Sequence, residues 1–211
     1  IFISFNILAM LLYPGGTIHN EAQLGYSFTH NFFSDLGQTI SHSDDNNIYS
    51  CILFNLTLII CGVTFIMLFY SIKNLFKHKK LAIIATLCGV LSGFSYIGVA
   101  LTPSNIFLDA HILFAHSIFR FLFATALFYS ILIFRTTGFE NKYGYGFVLF
   151  GIMMLSYVLF SELGPDPRIS EYAMIAQVVA QKTVACWILI SIYTYSIGLG
   201  KYINNKMYSC M

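Results

Sequence analysis

Apolar runs of about twenty residues, divided by short polar turns, leave this chain few ways to fold. Five of them lie at about 48–72, 81–101, 106–134, 143–161 and 173–199. Each is long enough, or nearly so, to cross a hydrocarbon layer of about 30 Å as a helix. No water reaches the middle of such a layer, so the backbone must satisfy its own hydrogen bonds, and a helix does this within one segment. A sixth apolar run, Ile1–Tyr13, precedes Pro14. It is shorter than a span and lacks the basic start of a signal peptide, so it is read as a first helix truncated at its N-terminus. The expectation is an all-α integral membrane bundle of six transmembrane helices, one domain over 1–211, with a long outer loop at 14–47.

Charge supports the same class. Only 9% of residues are charged and 57% are hydrophobic, with mean hydropathy +0.74. A soluble domain carries about 25% charged residues, so this chain cannot cover a water-facing surface. The lipid bilayer is therefore the expected partner. The net charge of +2 comes from dispersed basic residues, and no nucleic-acid surface is expected. Cys51, Cys61, Cys88, Cys186 and Cys210 form no CxxC or Cys/His cluster and are read as packing residues or free thiols. The triplet Asn55-Leu56-Thr57 matches a glycosylation site but lies inside a span.

Lysine and arginine set the expected orientation. Lys73, Lys77, Lys79 and Lys80 follow the run at 48–72, Arg135 and Lys142 the run at 106–134, and Lys201 and Lys206 the run at 173–199. The opposite loops hold only Arg168. The positive-inside rule then places both termini in the cytoplasm and the loop 14–47 outside the cell membrane. Gly89 and Gly93 have the spacing that lets a neighbouring helix approach closely, and Gly144, Gly146 and Gly151 are read the same way.

The outer loop is too long to be featureless. Pro14-Gly15-Gly16 is a turn, and "DDNN" before the second span offers a cap and a polar stop. Between them Ser34 is expected to cap a short helix and Gly37 to close it. Phe32 and Phe33 are placed at headgroup level or plugged into the mouth of the bundle.

Four segments then fall into a known order: "YPGG" (Tyr13–Gly16), "FFSDLGQT" (Phe32–Thr39), "GVALTPSN" (Gly98–Asn105), and Asp109, His111 and His116 opening the fourth span. This order resembles domain-of-unknown-function family 998, small six-helix membrane proteins of bacteria and archaea. Ser-Asp-Leu-Gly is also similar, more distantly, to the Frag/DRAM/Sfk group. The resemblance covers nearly the whole chain and implies a six-helix membrane fold. It implies no activity, because the closer family has no established biochemical function. The truncated first helix departs from the complete pattern.

Ionisable residues inside apolar runs mark candidate sites. At 100° per residue, Asp109, His116 and Arg120 share a stripe about 40° wide, and His111 lies on the opposite side. Arg120 stands about 14 Å deeper than His111. A charge at that depth costs at least about 2.5 kcal/mol, so the stripe is expected to face the bundle interior and His111 the interface. Lys182, near Gln177 and Gln181, is a second deep cation. The candidate binding residues are Asp35, Asp109, His116, Arg120, Glu162 and Lys182, in a polar pocket open outward. The spacing of His111 and His116 suits no zinc pair. His19, His30 and His42 are read as solvated, and no metal or cofactor is expected.

Four functions compete. The first is binding of a lipid headgroup or small anion by Arg120 and Lys182, since Arg suits bidentate phosphate contacts. The second is a membrane-embedded hydrolase or transferase using an Asp/His pair, though neither G-x-S-x-G nor HExxH is present. The third is a proton-coupled transporter, and the fourth an interaction protein whose polar network only locks helices together. The sequence fixes neither a catalytic residue nor an oligomeric state.

Overall fold

The computed structural model of the protein describes residues 1–208, so Cys210 lies outside the described residues. Six α-helices are found among the described residues: α1 (Phe2–Leu12), α2 (Ile48–Ile72), α3 (Lys79–Leu101), α4 (Leu108–Phe134), α5 (Asn141–Leu163) and α6 (Glu171–Tyr208). The last five are long and apolar enough to cross a membrane, and α1 is a shorter apolar helix. Helix α6 continues past its apolar run into a polar end that carries Lys201 and Lys206.

Each helix packs on the next in the sequence, from α1 on α2 to α5 on α6. One tight seam is α2 on α3. A Cβ on Gly62 would sit 2.5 Å from the Gly93 carbonyl oxygen, and one on Gly93 would sit 2.6 Å from that of Gly62. The backbones therefore touch where both residues lack side chains. Gly146, by contrast, faces open space, so only part of the glycine pattern on α5 serves packing. Toward the 73–80 and 135–142 turns the bundle is filled by rings. Tyr129 lies 5.5 Å from Phe69, and Phe147 lies 4.7 Å from Tyr195, joining α2, α4, α5 and α6.

The loop 14–47 is structured. An antiparallel hairpin pairs β1 (Gly15–Thr17) with β2 (Asn20–Leu24). Gly16 has a φ of +81°, and a Cβ there would collide with the His42–Ser43 backbone; this accounts for the second glycine of YPGG. A single 3-10 turn follows at Phe33–Gly37. It is not capped by Ser34. The Asp35 carboxylate instead accepts the Phe32 N–H at 2.9 Å.

Asn47 precedes α2 but does not cap it with its side chain. Its amide turns inward and donates to the carbonyls of Asp35, Leu36 and Gln38. A buried side-chain amide that gathers three carbonyls fixes the loop on top of α2. The loop also meets the α3–α4 connection. Gln38 Nε2 donates to Ser104 Oγ at 3.2 Å, and Asn105 exchanges two hydrogen bonds with Thr39. Two segments far apart in sequence, FFSDLGQT and GVALTPSN, thus dock on one another.

Candidate functional site

A cavity of about 560 Å³ lies between α6 and the group α1, α2, α3 and α4. Leu58, Phe65, Ile118 and Ile188 give it an apolar wall, and Phe33 and Ser34 of the 14–47 loop form part of its lining. Along α2 it runs from Phe54 to Phe65, about 16 Å of helix. Its position follows from packing. Helix α6 is held by α5 on one side and by the 33–37 turn near Gln181, which leaves a gap on the side facing α1 and α2.

The roof is pinned to α6 by two neighbouring side chains. Gln181 Oε1 accepts the Phe33 N–H at 2.8 Å. Lys182, only 4% exposed, donates from Nζ to the Asn31 carbonyl at 2.5 Å. Its ammonium also stands 5.4, 5.0 and 5.2 Å from the ring centres of Tyr26, Phe28 and Phe33. Three aromatic faces and a carbonyl dipole replace the water such a cation loses on burial. Asn31 is itself fully buried, and its amide nitrogen reaches the Gly16 carbonyl at 2.8 Å and Asp35 Oδ2 at 3.1 Å.

Asp35 is the acid of this cluster and is 4% exposed. His42 Nε2 lies 3.5 Å from its Oδ1, an ion-pair distance too long for a well-formed hydrogen bond. Burial pulls the His42 imidazole down. The Asp35 carboxylate, with Glu21 farther off, outweighs that, and the pKa ends above its ordinary value. Burial, reinforced by the Asp35 charge, pushes the Tyr13 and Tyr26 hydroxyls well above their usual range, so both stay neutral. Tyr26 donates to the backbone carbonyls of Asn31 and Phe32. His42 is thus half-buried and paired, where the sequence suggested a solvated side chain.

The six candidate residues divide into two places. Asp35 and Lys182 belong to the roof. Arg120, His116 and Glu162 meet between α4 and α5, and Asp109 is exposed in the first turn of α4. Arg120 donates to Glu162 Oε1 from both Nε, at 2.9 Å, and Nη2, at 2.6 Å, and His116 Nδ1 lies 3.8 Å from the same oxygen.

The expected inward stripe is therefore corrected. Asp109 and Arg120 are exposed, and His111, expected at the interface, is 6% exposed and lines the cavity. Depth changes too. Glu162 is in the last turn of α5, a helix about 34 Å long that covers a bilayer core by itself. The Arg120 guanidinium therefore pairs at the end of α5 that leads into the 164–170 connection. The Asp/His pair that forms in the loop is Asp35 with His42.

Asn31, His42, Asn47, Gln181 and His111 complete the site. No candidate set included them, although Gln181 was noted beside Lys182. Among the described residues no group of three or more His, Cys, Asp or Glu side chains stands together in a way that could hold a metal ion. Cys51, Cys61, Cys88 and Cys186 are free thiols.

These features define a multi-pass helical membrane protein with an apolar cavity beneath an ordered loop. The family described as "Protein of unknown function (DUF998)" matches residues 7–194, and the chain belongs to that family. No curated protein and no solved structure matches it.

Proposed function

We propose that this is a lipid-binding protein of the cell membrane, whose cavity beside α6 takes the apolar part of an amphiphile while the outer loop covers its head. The observation that carries the reading is the cavity. Its 560 Å³ falls within the roughly 300–1,000 Å³ usual for small-molecule sites. Its walls are apolar, and a bilayer is the nearest source of matching molecules. The Lys/Arg distribution supports an orientation with the loop outside and both termini in the cytoplasm, so the lipid would enter from the outer leaflet.

A small anion held by Arg120 and Lys182 together has less support. Arg120 already shares the Glu162 carboxylate, and Lys182 is turned into the loop. In this reading Asp35 and Lys182 keep the roof in place, and Arg120, His116, Glu162 and Asp109 line the outer edge of α4 and α5.

The test is the lipid that co-purifies. Protein extracted in a mild detergent is expected to carry bound lipid detectable by mass spectrometry. Ala185 lines the cavity, and Ala185→Trp would fill much of it. That variant is expected to lose the lipid several-fold while keeping its unfolding temperature. Equal lipid in both proteins would refute the reading.

A further inference from the structure

Among the hydrogen-bonding groups that line the cavity, those of His111 and Gln181 form a complementary acceptor and donor. His111 sits in the first turn of α4, with Nδ1 2.6 Å from the Thr102 carbonyl oxygen. A carbonyl only accepts, so Nδ1 holds the proton and Nε2 of the neutral ring is left as an acceptor. Nε2 has no partner among the described residues, and it is not sealed inside the protein, because His111 opens onto the cavity.

Gln181 supplies the complement. The Phe33 N–H must meet an acceptor, which assigns the carboxamide oxygen to that contact. The Gln181 NH₂ is then a donor with no partner among the described residues, and Gln181 lines the same cavity. Ser34 also lines the cavity and adds a hydroxyl. Among the described residues no Lys, Arg, Asp or Glu side chain lines the cavity.

Resting on the lipid-binding reading above, we infer that the ligand's head is uncharged and carries a free hydroxyl, donated to His111 Nε2, with an oxygen that accepts from Gln181. A hydroxyl-bearing neutral lipid has this chemistry, whether a diacylglycerol or a long-chain alcohol. A phosphorylated lipid does not. Its phosphate would shed water and counter-ion without meeting a cation, and it would face a nitrogen lone pair.

The experiment compares three probes with identical chains on the full-length protein in detergent: dioleoylglycerol, its O-methyl ether and dioleoylphosphatidic acid, with binding read by native mass spectrometry. Dioleoylglycerol is expected to bind about tenfold more tightly than the ether, the worth of one buried hydrogen bond, and more tightly still than the phosphatidic acid. In His111→Phe the alcohol and the ether should bind alike. In Ala185→Trp none should bind.

Equal binding of alcohol and ether to the native protein overturns the inference. So does phosphatidic acid binding as well as the alcohol. If Ala185→Trp still blocks binding in those cases, the lipid-binding reading survives. Failure of all three probes, or binding that Ala185→Trp leaves unchanged, overturns both. If His111→Phe does not fold, the alcohol-to-ether ratio on the native protein decides alone.

Discussion

Arg120 and Lys182 both stand well inside their helices, and they are neutralised in opposite ways. Arg120 has a carboxylate partner on the next helix, and its side chain is 51% exposed. Lys182 is buried under a loop that begins more than 150 residues earlier, and it meets a carbonyl and three aromatic faces with no carboxylate in contact. Asp35 acts on Lys182 at longer range, and its own oxygens are taken by Asn31, Phe32 and His42. The Arg120 pair is local and replaceable. The Lys182 site is the joint between the ordered 14–47 loop and the helix that walls the cavity.

The largest expected effect comes from breaking that joint. Lys182→Met removes one charge of a buried cluster and leaves His42 as the one basic side chain beside Asp35 among the described residues, a loss of about 3 kcal/mol or more. It should appear as a large drop in unfolding temperature in detergent and as protease cleavage within residues 25–40. Adding Asp35→Asn to Lys182→Met should recover part of the loss, since the unpaired carboxylate is gone. A double variant no more stable than Lys182→Met would show that the two charges do not act together.

Arg120→Leu should cost about 1 kcal/mol or less, because the pair is half-exposed. Arg120→Leu combined with Glu162→Leu should lie close to the native protein. An effect as large as that of Lys182→Met would reverse the contrast between the two sites.

The smallest effect is the pH dependence of the loop. The folded His42 pKa lies above its unfolded value, near 6.5. Its contribution is therefore complete below that unfolded value and fades as pH rises through the folded one. Amide hydrogen exchange at residues 31–38, corrected for the intrinsic rate, should be slower at pH 6 than at pH 8. His42→Gln should remove the difference.

Spans were legible because a membrane helix announces itself by length and apolarity alone. The stripe on α4 was legible only in part. The helical wheel separates His111 from Asp109, His116 and Arg120 correctly, but a wheel gives relative angles and not the direction of the bundle. The cost of burying Arg120 suggested that it faced inward, and the Glu162 side chain at the end of α5 met it outside instead. Lys182 was visible as an anomaly in an apolar run. Its partners were not, because Asn31, Tyr26, Phe28 and Phe33 reach it through a loop fold fixed by Asn47 and Gly16. No periodicity encodes a side-chain amide that collects three carbonyls. The docking of FFSDLGQT on GVALTPSN gives those two segments a shared structural purpose that neither had alone.

The glycine seam between α2 and α3 makes the two sides of the cavity unequal. Where Gly62 and Gly93 bring the two backbones together, there is no side chain whose rotation could open or close a gap, so α2 is a fixed jaw. Opposite it, α6 hangs from α5 and from the loop clasp at Gln181 and Lys182. The width of the slot is therefore set from one side, and the clasp is its adjusting screw.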